Sequence, residues 1–288
     1  MIALNNKIRA IALIPSGYGL LRVYSDVLKS GNGKRSFINV TFQTLLSFAM
    51  YDYAPLLSLV LYYLFAFSAL KTIIFLALGY LLMNSIYELG YLMNDTISRR
   101  VEGKVHKVRV KLTVFDSLLI ALSRAIYVVI FTLVFLKLVG LQYSTQVILA
   151  EVTLFLVFLL YDLTPKHVRT VMLSFPLKFM KAFVLLLPFI ITGTLVENVI
   201  TLSFILPIAV RFSQAHYLKT ACKDNPPRDF KRRVERFSMM YLQVTSLSTF
   251  TVLVSFVYLG NTDLLRQYLI PFAVNVVLIL LSYLASRG

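Results

Sequence analysis

Carboxylates are scarce in this chain, 13 in 288 residues, and one stretch gathers several of them with amide and hydroxyl groups. Residues 84–102 read NSIYELGYLMNDTISRRVE and close a long apolar run. On an α-helix, at about 100° per residue, Asn84, Glu88, Tyr91, Asp95, Ser98 and Glu102 fall within one arc of roughly 80°. The other faces carry Ile86, Leu89, Leu92, Met93 and Ile97. A polar stripe on an otherwise apolar helix must face a cavity, a metal or other charged groups. Asp95 and Glu102 stand two turns apart on it. Carboxylates so spaced can hold Mg²⁺ and leave positions for phosphate oxygens and water. Asn94 can add a neutral oxygen ligand. Ion pairs with Arg99 and Arg100 are the competing reading for both carboxylates. Glu88 lies about two turns deeper than Asp95. An intramembrane carboxylate costs roughly 2.5–3.5 kcal/mol at the centre of a span, so it needs a partner or a hydrated cavity. Arg124 is the candidate partner.

Two further polar clusters follow. Residues 161–169 read YDLTPKHVR. Pro165 ends a helix there, and Lys166 and Arg169 can reach a phosphate, although an ordinary basic loop accounts for the same residues. Residues 211–219 read RFSQAHYLK and present Arg211, Gln214 and Lys219 to a phosphate. Asp224 and Asp229 could bind a second metal, while Asp224-Asn225-Pro226-Pro227 also reads as a plain turn. The chain carries no P-loop, no G-x-G-x-x-G and no HExxH. One cysteine, Cys222, excludes an internal disulfide and a CxxC site, and three scattered histidines do not make a zinc centre.

The elements that position these clusters are membrane helices. Hydrophobic residues make up 58% of the chain and the mean hydropathy is +0.78, against about 45–50% apolar residues in soluble domains. Runs near the roughly 20 residues that a span needs occur at 54–70, 72–93, 112–138, 145–161, 182–196, 200–217, 239–259 and 268–284, the fifth with an earlier start near Val171. Lys71 marks a tight turn between the first two. Most of the 29 Lys and Arg fall in the N-terminal segment and in the loops after spans two, four and six. By the positive-inside rule that face is cytoplasmic, and the net charge of +16 addresses anionic lipid, not nucleic acid. Residues 8–21 are apolar but broken by Arg9, Pro15, Gly17 and Gly19, without a cleavage pattern. Residues 18–29 mix apolar and basic groups as a surface helix does. Residues 1–36 are therefore expected to be a cytoplasmic or interfacial segment. The expected architecture is an all-α polytopic membrane protein of the cell membrane, a single domain over 1–288. About eight transmembrane helices surround a central cavity, capped by cytoplasmic loops that carry the polar clusters.

At 94–102, NDTISRRVE, the sequence resembles the UbiA superfamily of membrane prenyltransferases, whose first signature, N-D-x-x-D-x-x-x-D, follows the second span. Asn94 and Asp95 match, Glu102 replaces the last Asp conservatively, and Ser98 stands where the middle Asp would be. Tyr87-Glu88-Leu89-Gly90-Tyr91 resembles a subgroup whose acceptors are poorly defined. Tyr161, Pro165 and Arg169 match the pattern Y-x-x-x-P-x-x-x-K/R after the fourth span. The second acidic signature, D-x-x-x-D, is not met, because Asp224 and Asp229 have one residue too many between them. The resemblance implies Mg²⁺-assisted ionisation of an isoprenyl diphosphate and capture of the allylic cation by an acceptor, which no local feature identifies. It implies Asp95, Glu102 and Tyr161 in catalysis. Asn94, Lys166, Arg169, Arg211 and Lys219 would bind the diphosphate, and Asp95, Glu102, Asp224 and Asp229 the metal. Tyr87, Tyr91 and Tyr161 could stabilise the cation with their ring faces, or serve as interfacial anchors. The alternative is a UbiA-like bundle without catalytic activity that binds or transports lipid. A CDP-alcohol phosphotransferase is disfavoured by the absence of D-G-x-x-A-R.

Overall fold

A computed structural model describes residues 2–3, 6–21, 59–60, 62–64, 67–98, 110–164 and 171–221, with isolated helical positions at Phe250, Val254, Ala273 and Val277. In order, the elements are β1 (Ile2–Ala3), α1 (Asn6–Leu13), α2 (Ala69–Met93), a π-helical turn (Asn94–Ser98), β2 (Val110–Lys111), α3 (Val114–Val139), α4 (Ser144–Leu163), α5 (Val171–Thr192) and α6 (Leu195–Ala221). A 3-10 turn, Leu141–Tyr143, joins α3 to α4. The two strands are a two-residue parallel pairing, Ile2 with Val110 and Ala3 with Lys111.

Among the described residues, four helices are long and apolar enough to cross a membrane: Ala69–Thr96, Val114–Val139, Leu141–Leu163 and Ser174–Thr192. The chain is a helical membrane protein. Spans two to four run within a few residues of the sequence expectation. The turn before α2 falls at Phe67 and Ser68, not at Lys71. Ser68 caps the helix, its hydroxyl accepting from the Lys71 N–H at 3.3 Å and its carbonyl from the Thr72 N–H at 3.0 Å. Lys71 then lies inside the first turn, with its ammonium over the rings of Phe67 and Phe75. The fifth span starts early, at Val171, and stops at Thr192 instead of 196. Thr194 takes over as a helix cap there, its N–H donating to Glu197 Oε2 at 2.6 Å, which draws Leu195 and Val196 into α6. The expected spans at 239–259 and 268–284 lie outside the described residues, apart from the isolated positions.

The fold divides into two compact units, Met1–Gln43 with Ala77–Arg169, and Thr44–Leu76 with Thr170–Gly288. In the second, α5 packs along α6. Phe189 on α5 stacks on Tyr63 at 3.8 Å and meets Phe75 edge-on. Tyr63 shares a hydrogen bond with Thr201 on α6.

In the first unit, α3 opens on a capping box. Thr113 Oγ1 accepts from the Asp116 N–H, and Asp116 Oδ2 accepts from the Thr113 N–H, both at 3.1 Å. One face of α3 exposes Phe115, Leu118, Leu122, Ile126, Val129 and Leu133, which suits a helix solvated by lipid. The opposite face buries Asp116, Ile120, Arg124, Thr132 and Phe135. Thr132 donates to Glu151 Oε1 at 2.7 Å and ties α3 to α4. Helix α4 meets α2 through Phe158, whose ring lies edge-on to Tyr87 and Tyr91, with centroids 4.6 and 6.0 Å away. Gly90 permits the approach, because a Cβ there would sit 2.3 Å from Phe158 Cδ1.

Gly90→Val is therefore expected to lower stability by about 1–3 kcal/mol through overpacking, read as an earlier melt in detergent. Adding Phe158→Ala should return part of that loss; strictly additive losses would show that the two positions do not touch.

Candidate functional site

The polar stripe of α2 meets the N-terminal segment. Helix α1 runs along α3, with Arg9 Nε 2.7 Å from Asp116 Oδ1 near the start of that helix. It ends at Leu13, and the chain turns through Ile14, Pro15 and Ser16. Ser16 adopts φ 68°, an uncommon backbone state for a residue with a side chain. The turn is tight enough that a Cβ on Gly17 would overlap the Ile11 carbonyl oxygen at 1.7 Å. Residues 17–21 then form a short helical stretch. Tyr18 and Leu21 pack with Ala12, Leu92 and Ile120 in one buried cluster. The segment expected at the membrane surface is thus packed against two spanning helices as far as Leu21. The rest of it lies outside the described residues.

This helical hairpin is held by an ion pair. Arg124 and Glu88 have no exposed surface, and Arg124 Nε lies 2.7 Å from Glu88 Oε2. The partner expected for Glu88 is the one found. Arg124 also donates to the carbonyls of Ala12 at 2.5 Å and Leu13 at 2.9 Å, two acceptors left over at the end of α1. Glu88 accepts from the N–H of Ser16 at 3.2 Å and of Gly19 at 2.5 Å. At 1.5 Å per residue the pair sits about 12 Å inside the end of the span at Thr96. Asn84 Nδ2 donates to Ser16 Oγ at 2.7 Å, and the Tyr18 hydroxyl donates to Asp95 Oδ2 at 2.5 Å. Positions 84, 88 and 95 of the stripe therefore face the hairpin.

Beyond Met93 the helix changes pitch. Asn94–Ser98 is π-helical, and Thr96 Oγ1 bonds back to the Leu92 carbonyl at 2.7 Å, a contact that loosens an α-helix. The shared arc assumes α-helical pitch throughout, whereas the segment that carries Asp95 and Ser98 is π-helical and Glu102 lies outside the described residues. Short π segments frequently occur at functional sites. Helix α4 packs against this turn. One turn beyond Phe158, Tyr161 and Asp162 are buried at the same end of the unit. Asn94, Asp95 and Tyr161 are thus brought to one end.

The oxygen donors at this end include the Asn94 amide and the Asp95 carboxylate. Among the described residues no group of three or more His, Cys, Asp or Glu is arranged around a metal. Mg²⁺ does not require one, because it binds through one or two carboxylates and keeps waters and phosphate oxygens. Asn94 Oδ1 is buried and has no hydrogen-bond partner. It lies next in sequence to Asp95, so the pair supplies a neutral oxygen and a carboxylate.

The remaining expected site residues are distributed differently. Glu102, Lys166, Arg169, Asp224 and Asp229 lie outside the described residues, as do Arg99 and Arg100. Arg211 and Lys219 lie on α6, which belongs to the second unit. Tyr87 is buried and packs edge-on against Tyr91 and Phe158. Three polar residues escaped the sequence reading. Glu151 was visible as a lone carboxylate within a span. Asp116 was visible in the capping pattern T-x-x-D. Tyr18 had no local signal, because its partner is 77 residues away. Comparison with known protein families, characterised proteins and solved structures finds no match.

Arg124→Met is expected to destabilise the protein by about 3–5 kcal/mol, since it leaves a buried carboxylate uncompensated. The double variant Glu88→Gln with Arg124→Met should lose less than that single variant, measured by unfolding in detergent micelles. Independent, additive losses would rule the pair out as an energetic unit.

Proposed function

We propose that this chain transfers a prenyl group from an isoprenyl diphosphate to an acceptor within the membrane, with Mg²⁺ as cofactor. The reading includes a bundle of about eight spans, a cavity between them, and a reaction centre at the cytoplasmic face of the cell membrane. The observation that carries it is the convergence of Asn94-Asp95, on a π-helical turn, with the Tyr161 end of α4. The unpartnered Asn94 Oδ1 supports it further.

In this reading Asp95 and Asn94 bind the cation that accompanies the diphosphate. Bound Mg²⁺ supplies neutralisation of the charge on the departing diphosphate. Lys166 and Arg169, just after α4, bind phosphate oxygens and orient the leaving group. Tyr87, Tyr91 and Phe158 close the site with an apolar wall, which keeps water from an allylic cation. Tyr161 lies beyond that wall and is the aromatic residue proposed to face the cation. Glu102 is proposed as a second carboxylate for the metal. Arg211, Lys219, Asp224 and Asp229 are proposed for the diphosphate and a second cation.

One observation favours a second reading, a non-enzymatic bundle that binds or moves lipid: the stripe residues Glu88 and Asp95 both already have protein partners in the hairpin. Turnover separates the two. Purified protein incubated with Mg²⁺, labelled prenyl diphosphates and a lipid extract is expected to form prenylated product. Asp95→Asn should reduce it about a hundredfold or more, the range seen when a key electrostatic group is removed. Equal product from both proteins would remove Asp95 from the mechanism. Mg²⁺-independent binding of a polyprenyl lipid without turnover would favour the second reading.

A further inference from the structure

We propose that Tyr18 is a positioning residue for Asp95, and that the N-terminal hairpin is a structural part of the cation site. The inference rests on the reading of Asp95 as a cation ligand. A carboxylate on a π-helical turn has looser backbone support than one on an α-helix, because the regular i to i−4 ladder is interrupted there. Something else must fix its side chain. The Tyr18 hydroxyl donates to Asp95 Oδ2 at 2.5 Å, a charge-assisted bond of the strong kind. One carboxylate oxygen engaged by a fixed donor restricts rotation of the other.

Tyr18 is itself fixed. Its side chain has no exposed surface and packs with Ala12, Leu21, Leu92 and Ile120. Its backbone lies between Ser16 and Gly19, whose N–H groups both donate to Glu88. Glu88 is held in turn by Arg124, which grips the two carbonyls at the end of α1. The rigidity of the Glu88–Arg124 pair is thereby passed through three residues of backbone to the phenol, and from the phenol to Asp95. Preorganised supports of this type hold ligand geometry that a loop cannot hold alone.

The test uses the full-length protein in detergent, with Mn²⁺ and inorganic pyrophosphate as probe and bound Mn²⁺ read by electron paramagnetic resonance. Wild type is expected to bind the Mn²⁺–pyrophosphate pair, and Asp95→Asn to lose it. Tyr18→Phe keeps the ring and should weaken binding about tenfold, the lower end of the loss expected when a ligand's supporting hydrogen bond is removed. In the Asp95→Asn background, Tyr18→Phe should change nothing further. Thr132→Val serves as the second variant: it removes the hydroxyl that ties α3 to Glu151 on α4 and lowers the melting temperature but leaves the hairpin and Tyr18 in place, and should leave the probe's affinity within about twofold of wild type. Wild-type affinity in Tyr18→Phe overturns the proposal. So does a loss of affinity in both variants that merely follows their melting temperatures. Absence of probe binding by wild type overturns it together with the prenyl-transfer reading. Intact binding with the expected Tyr18 effect, but no prenyl product from any prenyl diphosphate, overturns prenyl transfer alone and upholds the positioning role.

Discussion

A glutamate and an arginine with no exposed surface, on helices that cross a membrane, must be neutralised by each other and by backbone dipoles. Glu88 and Arg124 meet that constraint fully. Arg124 uses Nε on the carboxylate and its two terminal nitrogens on the carbonyls of Ala12 and Leu13. Glu88 takes two backbone N–H groups besides the guanidinium. A broken helix at this depth would otherwise leave carbonyls and amides without partners, at several kcal/mol each in hydrocarbon. The pair and the break are mutually dependent. The charges are tolerable because the hairpin offers dipoles, and the turn at Ser16 persists because the charges satisfy it.

The same dependence explains what could be read from residues alone. The stripe at 84–95 stood out because an acidic group in an apolar run has few tolerable environments, and Arg124 was the buried cation in reach. Length tests found α2, α3 and α4 because their apolar runs are long enough to span. The hairpin failed both tests. Helix α1 has 8 residues, far below a span, and Pro15, Gly17 and Gly19 argued against a continuous helix. The break falls at Ile14–Ser16 and contains Pro15, whereas Gly17 and Gly19 lie in the helical stretch that follows it. What local sequence could not show is that the break is itself the buried feature. Its support comes from residues about 70 and 110 positions away, which no local pattern encodes. The alignment of Asp95 with Glu102 had a different weakness: it assumed one helical pitch through a segment where Thr96 bonds back to Leu92.

Apolar periodicity could not have oriented these helices. Helix α3 is apolar nearly all round, because its outer face meets lipid instead of water, so hydrophobicity does not distinguish inside from outside. Orientation is carried by the few polar side chains. Asp116, Arg124 and Thr132 recur eight residues apart and are all buried, and each has a partner: Arg9, Glu88 and Glu151. Eight residues is a little over two turns, so the three contacts wind over roughly 160° of the buried side and hold α3 along most of its length. A rotation of the helix would break all three together. Buried polar contacts here select the register that apolar packing leaves open.

That assignment also separates architecture from chemistry. Asp116, Glu88, Arg124 and Glu151 each have partners that account for their burial, and none needs a ligand to explain its presence. Asn94 differs. Its Oδ1 is buried without a hydrogen-bond partner, and an unsatisfied buried acceptor costs about 1–3 kcal/mol. It stands on the one described turn where α2 leaves α-helical geometry, beside Asp95, whose carboxylate accepts from the Tyr18 hydroxyl. Hydrogen bonds, the ion pair and ring packing account for Asn84, Glu88 and Tyr91. They leave the Asn94 oxygen unexplained, and under the proposed function a cation brought in by a phosphate-bearing ligand would satisfy it.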